Sequence, residues 1–98
     1  MADSNAPTLL ISEKTVTAAG TAVALHAAQR VKSVTIVAKT SNTGQVYVGG
    51  SDVASTTNDG MAPGDALGIP AENWLDLNDL YVDSDVNGDG VDFWAVKA

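Results

Sequence analysis

Apolar and polar positions alternate with period two in several short runs, and turn residues separate the runs. Residues 31–39 are the clearest case. Val34, Ile36 and Ala38 fall on one side and Ser33, Thr35 and Lys39 on the other, as in a strand with one buried face. Ser41-Asn42-Thr43-Gly44 then reads as a turn and Gln45-Val46-Tyr47-Val48-Gly49 as the returning strand, which predicts a hairpin. Residues 8–12 form a brief apolar run. Residues 15–17 lead through Ala18-Ala19-Gly20 into a second short strand at 21–25. Turn chemistry dominates residues 50–64, including Asn58-Asp59-Gly60 and Pro63-Gly64-Asp65. Residues 66–69 read as a short strand, and 72–79 as a loop or a single helical turn. The alanine-rich stretch 18–28 invites a helix, but Gly20 and the surrounding threonines and valines oppose it. The pattern as a whole predicts an all-β chain: a single antiparallel β-sandwich or small jelly-roll-like barrel of about seven or eight short strands.

Residues 80–96 can be read in two ways. Two β-rich runs, 80–86 and 91–96, flank Asn87-Gly88-Asp89-Gly90, a strong short-range hairpin signal. The same residues match the first half of a calcium loop: Asp83, Asp85, Asn87 and Gly88 fit D-x-[DN]-x-[DN]-G, and Asp85, Asn87, Asp89 and Gly90 fit it again. Neither frame supplies the closing carboxylate, because that position falls on Trp94 or Val96. The flanks are β-branched and aromatic rather than helical. A terminal hairpin at 80–96 is therefore expected and a metal site is not; if calcium bound, its ligands would be Asp83, Asp85, Asn87 and Asp89.

The last strand is apolar on both sides, with Val91, Phe93 and Ala95 facing one way and Trp94 and Val96 the other. Such a strand is either covered twice within its own chain or meets another subunit. Trp74, Trp94, Val96, Leu9, Leu10 and Ile11 are the candidate interface residues. Residues 1–12 are expected to form an arm reaching a neighbouring subunit, and 13–98 a single β domain.

Composition narrows the functional classes. Ninety-eight residues make one core. Without cysteine there are no disulfides, thiolate metal sites or cysteine nucleophiles. Leu9-Leu10-Ile11 is too short for a leader or a membrane span, so cytoplasmic synthesis without a cleaved leader is expected. The net charge of −7 is uneven: residues 1–51 sum to +2 and residues 52–98 to −9. Nucleic acid and anionic membranes are therefore not expected as partners, because both demand clustered Lys and Arg. The acidic half is either a solvated face or one turned toward a basic partner or divalent cations.

No catalytic machinery is legible. His26 is the only histidine and sits among alanines and a leucine, with no second soft ligand for zinc and no nucleophile paired to it. Tyr47-Val48-Gly49-Gly50-Ser51 lacks the lysine of a phosphate-binding loop. The acid pairs Asp76/Asp79 and Asp83/Asp85 could serve a glycosidase only beside an aromatic cleft, and five per cent aromatic residues can hardly build both core and cleft. A non-enzyme without a cofactor is expected.

Three segments in order, 34–38 with 42–51, Met61-Ala62-Pro63-Gly64-Asp65-Ala66-Leu67, and 79–91, resemble small β-rich virion proteins of tailed bacteriophages. The similarity covers residues 30–96. Glu72-Asn73-Trp74-Leu75 departs from it as a bulkier insert. The resemblance implies a capsid decoration or cement protein of the virion, assembled in the host cytoplasm. Its implied partners are the major capsid protein or another virion protein, and the Trp94 and Val96 face with the N-terminal arm adds the expectation of self-association into a trimer or ring. A head–tail joining or fibre component is an alternative within the same class. Outside it, the alternative is a calcium-assisted carbohydrate or cell-surface adhesion module using the 83–92 loop.

Overall fold

β-branched residues at alternate positions set the strands, and Gly, Asn and Asp end them. The computed structural model describes residues 9–98. In chain order these form β1 (Leu9–Thr15), β2 (Val23–Ala24), β3 (Arg30–Ala38), β4 (Val46–Gly49), β5 (Ala66–Asp76), a 3-10 turn (Leu77–Asp79), β6 (Tyr81–Ser84) and β7 (Gly90–Lys97). All pairings are antiparallel. One sheet has four strands in the order β1-β7-β3-β5, and the other has three in the order β2-β6-β4. The expected all-β sandwich is what the chain builds, and the alanine-rich stretch contributes only the two residues of β2 rather than a helix.

The core lies between the sheets. The four-stranded sheet contributes Val31, Val34, Ile36, Val91, Phe93 and Ala95, while Val46, Val82, Leu25 and Leu77 close it from the other side. Phe93 is fully buried, and the His26 ring meets it edge-on at 6.0 Å between centroids. His26 is thus packing, with its Nδ1 2.9 Å from the Ala27 carbonyl.

Both expected hairpins are corrected by the topology. β3 and β4 lie in different sheets, and so do β6 and β7. Each connection is an arch that carries the chain across the core, not a turn that returns it beside itself. Burial is met either way, since Val34, Ile36 and Ala38 before the first arch, Val46 after it, Val82 before the second arch and Val91 and Phe93 after it all enter one core. What holds the crossings is contact between the two arches, where the Thr43 and Gly44 N–H groups donate to the Asp89 carboxylate. The Asn-Gly signal correctly marks a reversal: Gly88 has φ +90°, and its N–H donates to the Val16 carbonyl at 2.8 Å.

Two further boundaries differ from expectation. Leu9–Thr15 is a full edge strand on β7, with Leu9 opposite Val96 and Ile11 opposite Trp94, so residues 9–12 belong to the domain rather than to an arm. Residues 1–8 of the expected arm lie outside the described residues. β5 runs to Asp76 instead of stopping at Ile69, and the 72–79 segment divides between strand and 3-10 turn. β3 is also irregular. Val31 opposes Lys97 while Ser33 opposes Val96, so Lys32 is a bulge that lets both Val31 and Val34 face the core. On the other side Ser33 opposes Pro70 and Val31 opposes Leu75, so residues 71–74 bow out of the ladder. Pro70 is tolerated because β5 is an edge strand.

Glycine is demanded most strictly at position 90. A Cβ there would strike the Lys14 carbonyl oxygen and stand 3.0 Å from the Thr15 Cα, whereas one at Gly88 would meet nothing within 4 Å. Gly90→Ala should therefore cost about 3 kcal/mol through forced strand separation. Gly88→Ala should cost about 1–2 kcal/mol through backbone conformation alone. Urea unfolding of the two variants side by side checks the order; equal losses would contradict the close approach of β1 to β7.

Candidate functional site

Two regions hold the side chains that sequence singles out: the acidic arches at one end, and the outer face of the four-stranded sheet.

At the arches the four candidate calcium ligands each serve a protein donor. The buried Asp83 carboxylate accepts from the Gly20 N–H at 2.9 Å and the Ser84 N–H at 2.8 Å. Asp85 accepts the Tyr47 hydroxyl at 2.9 and 3.0 Å. Asn87 Oδ1 accepts from the Ala19 N–H at 2.7 Å. Asp89, also buried, accepts from the Thr43 N–H at 3.1 Å and the Gly44 N–H at 2.8 Å. Among the described residues no three His, Cys, Asp or Glu side chains gather as a ligand set. The acids of this loop are spread over separate partners on three different segments.

Asn42 completes the clasp. Its amide nitrogen donates to the Gly90 carbonyl at 2.8 Å, and its Oδ1 accepts from the Gly90 N–H at 2.9 Å. A side chain thus imitates one more rung of the β3–β7 ladder just past the end of β3. Sequence reasoning missed Asn42, reading it as part of a turn. The signal available was an Asn in one loop and a Gly opening the next strand, which says nothing about their proximity. Among the described residues every buried side-chain nitrogen or oxygen has a partner.

Among the described residues three ionisable groups are perturbed, each for a visible reason. Burial, helped by Asp85, pushes the Tyr47 hydroxyl above its usual value. Glu13 and Asp92 bracket the Lys39 ammonium and raise it. The Asn78 and Gln29 N–H groups hold the Asp76 carboxyl below the usual range, at 2.9 and 3.0 Å.

The outer face of the four-stranded sheet is a different surface. Leu9 and Ile11 of β1 are 62% and 64% exposed, and Trp94 of β7 is 41% exposed. The registers place Ile11, Trp94 and Thr35 in one row across the sheet and Leu9, Val96 and Ser33 in the next. The structure thereby brings together four of the six candidate interface residues. Leu10 points the other way and packs against the core. Trp74, 48% exposed on the β5 bow, stands apart under the Arg30 guanidinium at 4.1 Å from its ring centroid. An open depression lined by Ile11, Glu13, Asp92 and Trp94 runs beside β1. Of the two fates open to Trp94, cover by its own chain is the one the structure lacks among the described residues.

No family model, curated protein or solved structure matches the chain.

Two outcomes follow from these carboxylates. Asp89→Ala strands two backbone N–H groups and should cost about 2–4 kcal/mol, while adding calcium or EDTA should leave the midpoint of wild-type unfolding in place; calorimetry checks both. Asp76 has a depressed folded value, so its contribution is complete above the ordinary carboxylate value of about 4 and is lost as pH falls through the folded value. The stability gap between wild type and Asp76→Ala should therefore be widest at neutral pH and close in acid. A gap that stays constant down to pH about 2 would mean the two N–H contacts do not discriminate the ionised form.

Proposed function

We propose that this protein is a non-enzymatic virion component of the head decoration or cement type, which binds the head lattice and stabilises it. One observation supports this reading above the rest: the apolar outer face of β1 and β7, where Leu9, Ile11 and Trp94 stay in water although the chain has a complete core without them. Isolated exposed apolar residues are ordinary, but adjoining ones across an edge strand and its inner neighbour support a surface that works against another protein.

The resembling segments are consistent with it. Residues 34–51 and 79–91 are the two arches with their flanking strands, and 61–67 is the turn into β5. What resembles small virion proteins is therefore the clasped framework. The divergent insert puts residues 72–74 on the bow, with Trp74 under the Arg30 guanidinium, and returns to the ladder at Leu75. Its partners would be the major capsid protein or another virion protein, met in the host cytoplasm, with no cofactor. The adhesion reading gains no comparable support, since the carboxylates it would use accept from backbone N–H groups and Tyr47.

The test is addition of the purified protein to head lattices assembled from the major capsid protein of the same virus. Wild type should co-sediment with the lattice and raise its resistance to heat. Trp94→Ala and Ile11→Lys should weaken binding about tenfold or more while leaving the circular dichroism unchanged. Failure to bind, with no gain in heat resistance, would remove the proposal.

A further inference from the structure

We infer that Asn87-Gly88 is a self-modification site, a succinimide-forming pair that the fold keeps closed and that only opening of the second arch releases. It is the one Asn-Gly pair in the chain, and nothing in the virion reading bears on it. Glycine leaves the path of attack clear, so in an open chain this pair reacts with itself. The Gly88 nitrogen adds to the Asn87 Cγ, the Cγ–Nδ2 bond breaks, and ammonia leaves with the Gly88 amide proton. Water then opens the ring at one or other carbonyl. The products are aspartate at position 87, or isoaspartate, in which the main chain runs through the former side chain.

Shielding from water does not protect the pair, since both residues are exposed. Conformation does. The Asp89 N–H donates to the Val86 carbonyl at 3.2 Å, Gly88 has φ +90°, and the φ of Asn87 is not positive. This is a type II turn, whose first central residue has ψ of about +120°. Ring closure needs the Gly88 nitrogen eclipsed with the Asn87 Cβ, and that ψ swings the nitrogen well away from it. Both reacting groups are also engaged elsewhere. The Gly88 N–H donates to the Val16 carbonyl at 2.8 Å, and Asn87 Oδ1 accepts from the Ala19 N–H at 2.7 Å.

A flip of the single peptide between Asn87 and Gly88 does not suffice. It converts the turn to type I, where ψ is about −30° and the nitrogen is still far from eclipsed. The flanking residues have to move as well, and both are pinned. The Val86 carbonyl accepts the Ser84 hydroxyl at 2.8 Å, and the Asp89 carbonyl accepts the Val16 N–H at 2.8 Å. The Asp89 carboxylate in turn holds the first arch through Thr43 and Gly44. Reaction at Asn87 therefore requires these contacts to open together, and its rate follows the population of the open arch. Isoaspartate lengthens the main chain of the turn by one carbon, so a subunit that has reacted this way does not regain the turn. The pair thus records irreversibly that the arch has opened.

Peptide mapping by mass spectrometry tests this on the full chain, held in mildly alkaline buffer with or without unfolding guanidinium chloride. An isoaspartate-specific methyl-transfer assay identifies the product. In denaturant Asn87 should convert ahead of every other asparagine, and in native buffer at least about tenfold more slowly. Asp89→Ala leaves Asn87 and Gly88 in place but unpins their flank. It should speed native conversion at least about tenfold, with circular dichroism as the fold control. If that variant does not fold, the wild type decides, because its conversion should climb with guanidinium below the unfolding transition. The purified isoaspartate chain, returned to native buffer, should unfold at lower denaturant than the unreacted chain. Four results would each overturn the inference: no conversion of Asn87 in denaturant, equal rates folded and unfolded, a native rate indifferent to a folded Asp89→Ala or to guanidinium, or an isoaspartate chain as stable as the original.

Discussion

Where the chain crosses from one sheet to the other it leaves backbone N–H groups with no ladder to join, and the Asp89 carboxylate is what receives them. Thr43 and Gly44 sit in the first arch, Asp89 in the second, and the contact couples the two crossings. Asn42 ties the same pair of segments from the other direction through Gly90. Each arch alone would have to satisfy its amides with water at the mouth of the core. Lying side by side, they satisfy each other, and the distance between the sheets is set by that clasp as well as by Phe93 and its neighbours. Gly90 belongs to the same constraint, since the Lys14 carbonyl occupies the space its side chain would take.

This gives the acidic C-terminal half a meaning that net charge does not convey. Asp65, Asp76, Asp83 and Asp89 each accept from backbone N–H groups in turns or at strand ends. A chain with many crossings and short strands generates many such groups, and Asp is the side chain best shaped to receive them. Four of the ten acids in residues 52–98 are used in this way, each offsetting positive partial charge at its turn. Metal-loop spacing in residues 83–89 arises from a similar source, because alternate positions reach different donors: the Gly20, Ala19 and Gly44 N–H groups and the Tyr47 hydroxyl.

Much of the fold is written locally and was legible. Alternation assigned Val34, Ile36 and Ala38 to the core, placed Val91, Phe93 and Ala95 beside them, and put Trp94 on the opposite side. Positive φ at Gly88 was implied by Asn-Gly. Alternation fixes a face but not a partner, however, and Asn-Gly encodes a reversal without saying which sheet receives the next strand. That choice depends on contacts far apart in sequence, such as Asp89 with Thr43, and so both arches read as hairpins. β5 was cut short for a related reason. Pro70, Glu72 and Asn73 oppose a strand by propensity, and only its place at the sheet edge, with freedom to bow outward, accommodates them. For the outer face, alternation set Trp94 apart from Phe93, whereas Leu9-Leu10-Ile11 is an unbroken apolar run whose inward Leu10 only the pairing with β7 distinguishes, and the Arg30–Trp74 stacking needed the bow in three dimensions.

Trp94 is the residue whose presence the fold itself does not require. It stands on the central strand β7, flanked by Ile11 and Thr35, where a half-solvated antiparallel sheet ordinarily carries a polar or β-branched residue. Threonine there would keep the ladder and remove a large apolar surface from water. The core would not notice, since Phe93 and Ala95 face it from the same strand. Water penalises an exposed indole by the apolar area it cannot hide, at about 25 cal/mol for each Å². Leu9 and Ile11 extend the same exposed surface across the neighbouring strand, so the penalty is cooperative in space and a single covering chain relieves all of it together. The free energy that the isolated subunit forgoes at this face is therefore what remains available for association, and β7's pairing on both sides holds Trp94 in its row.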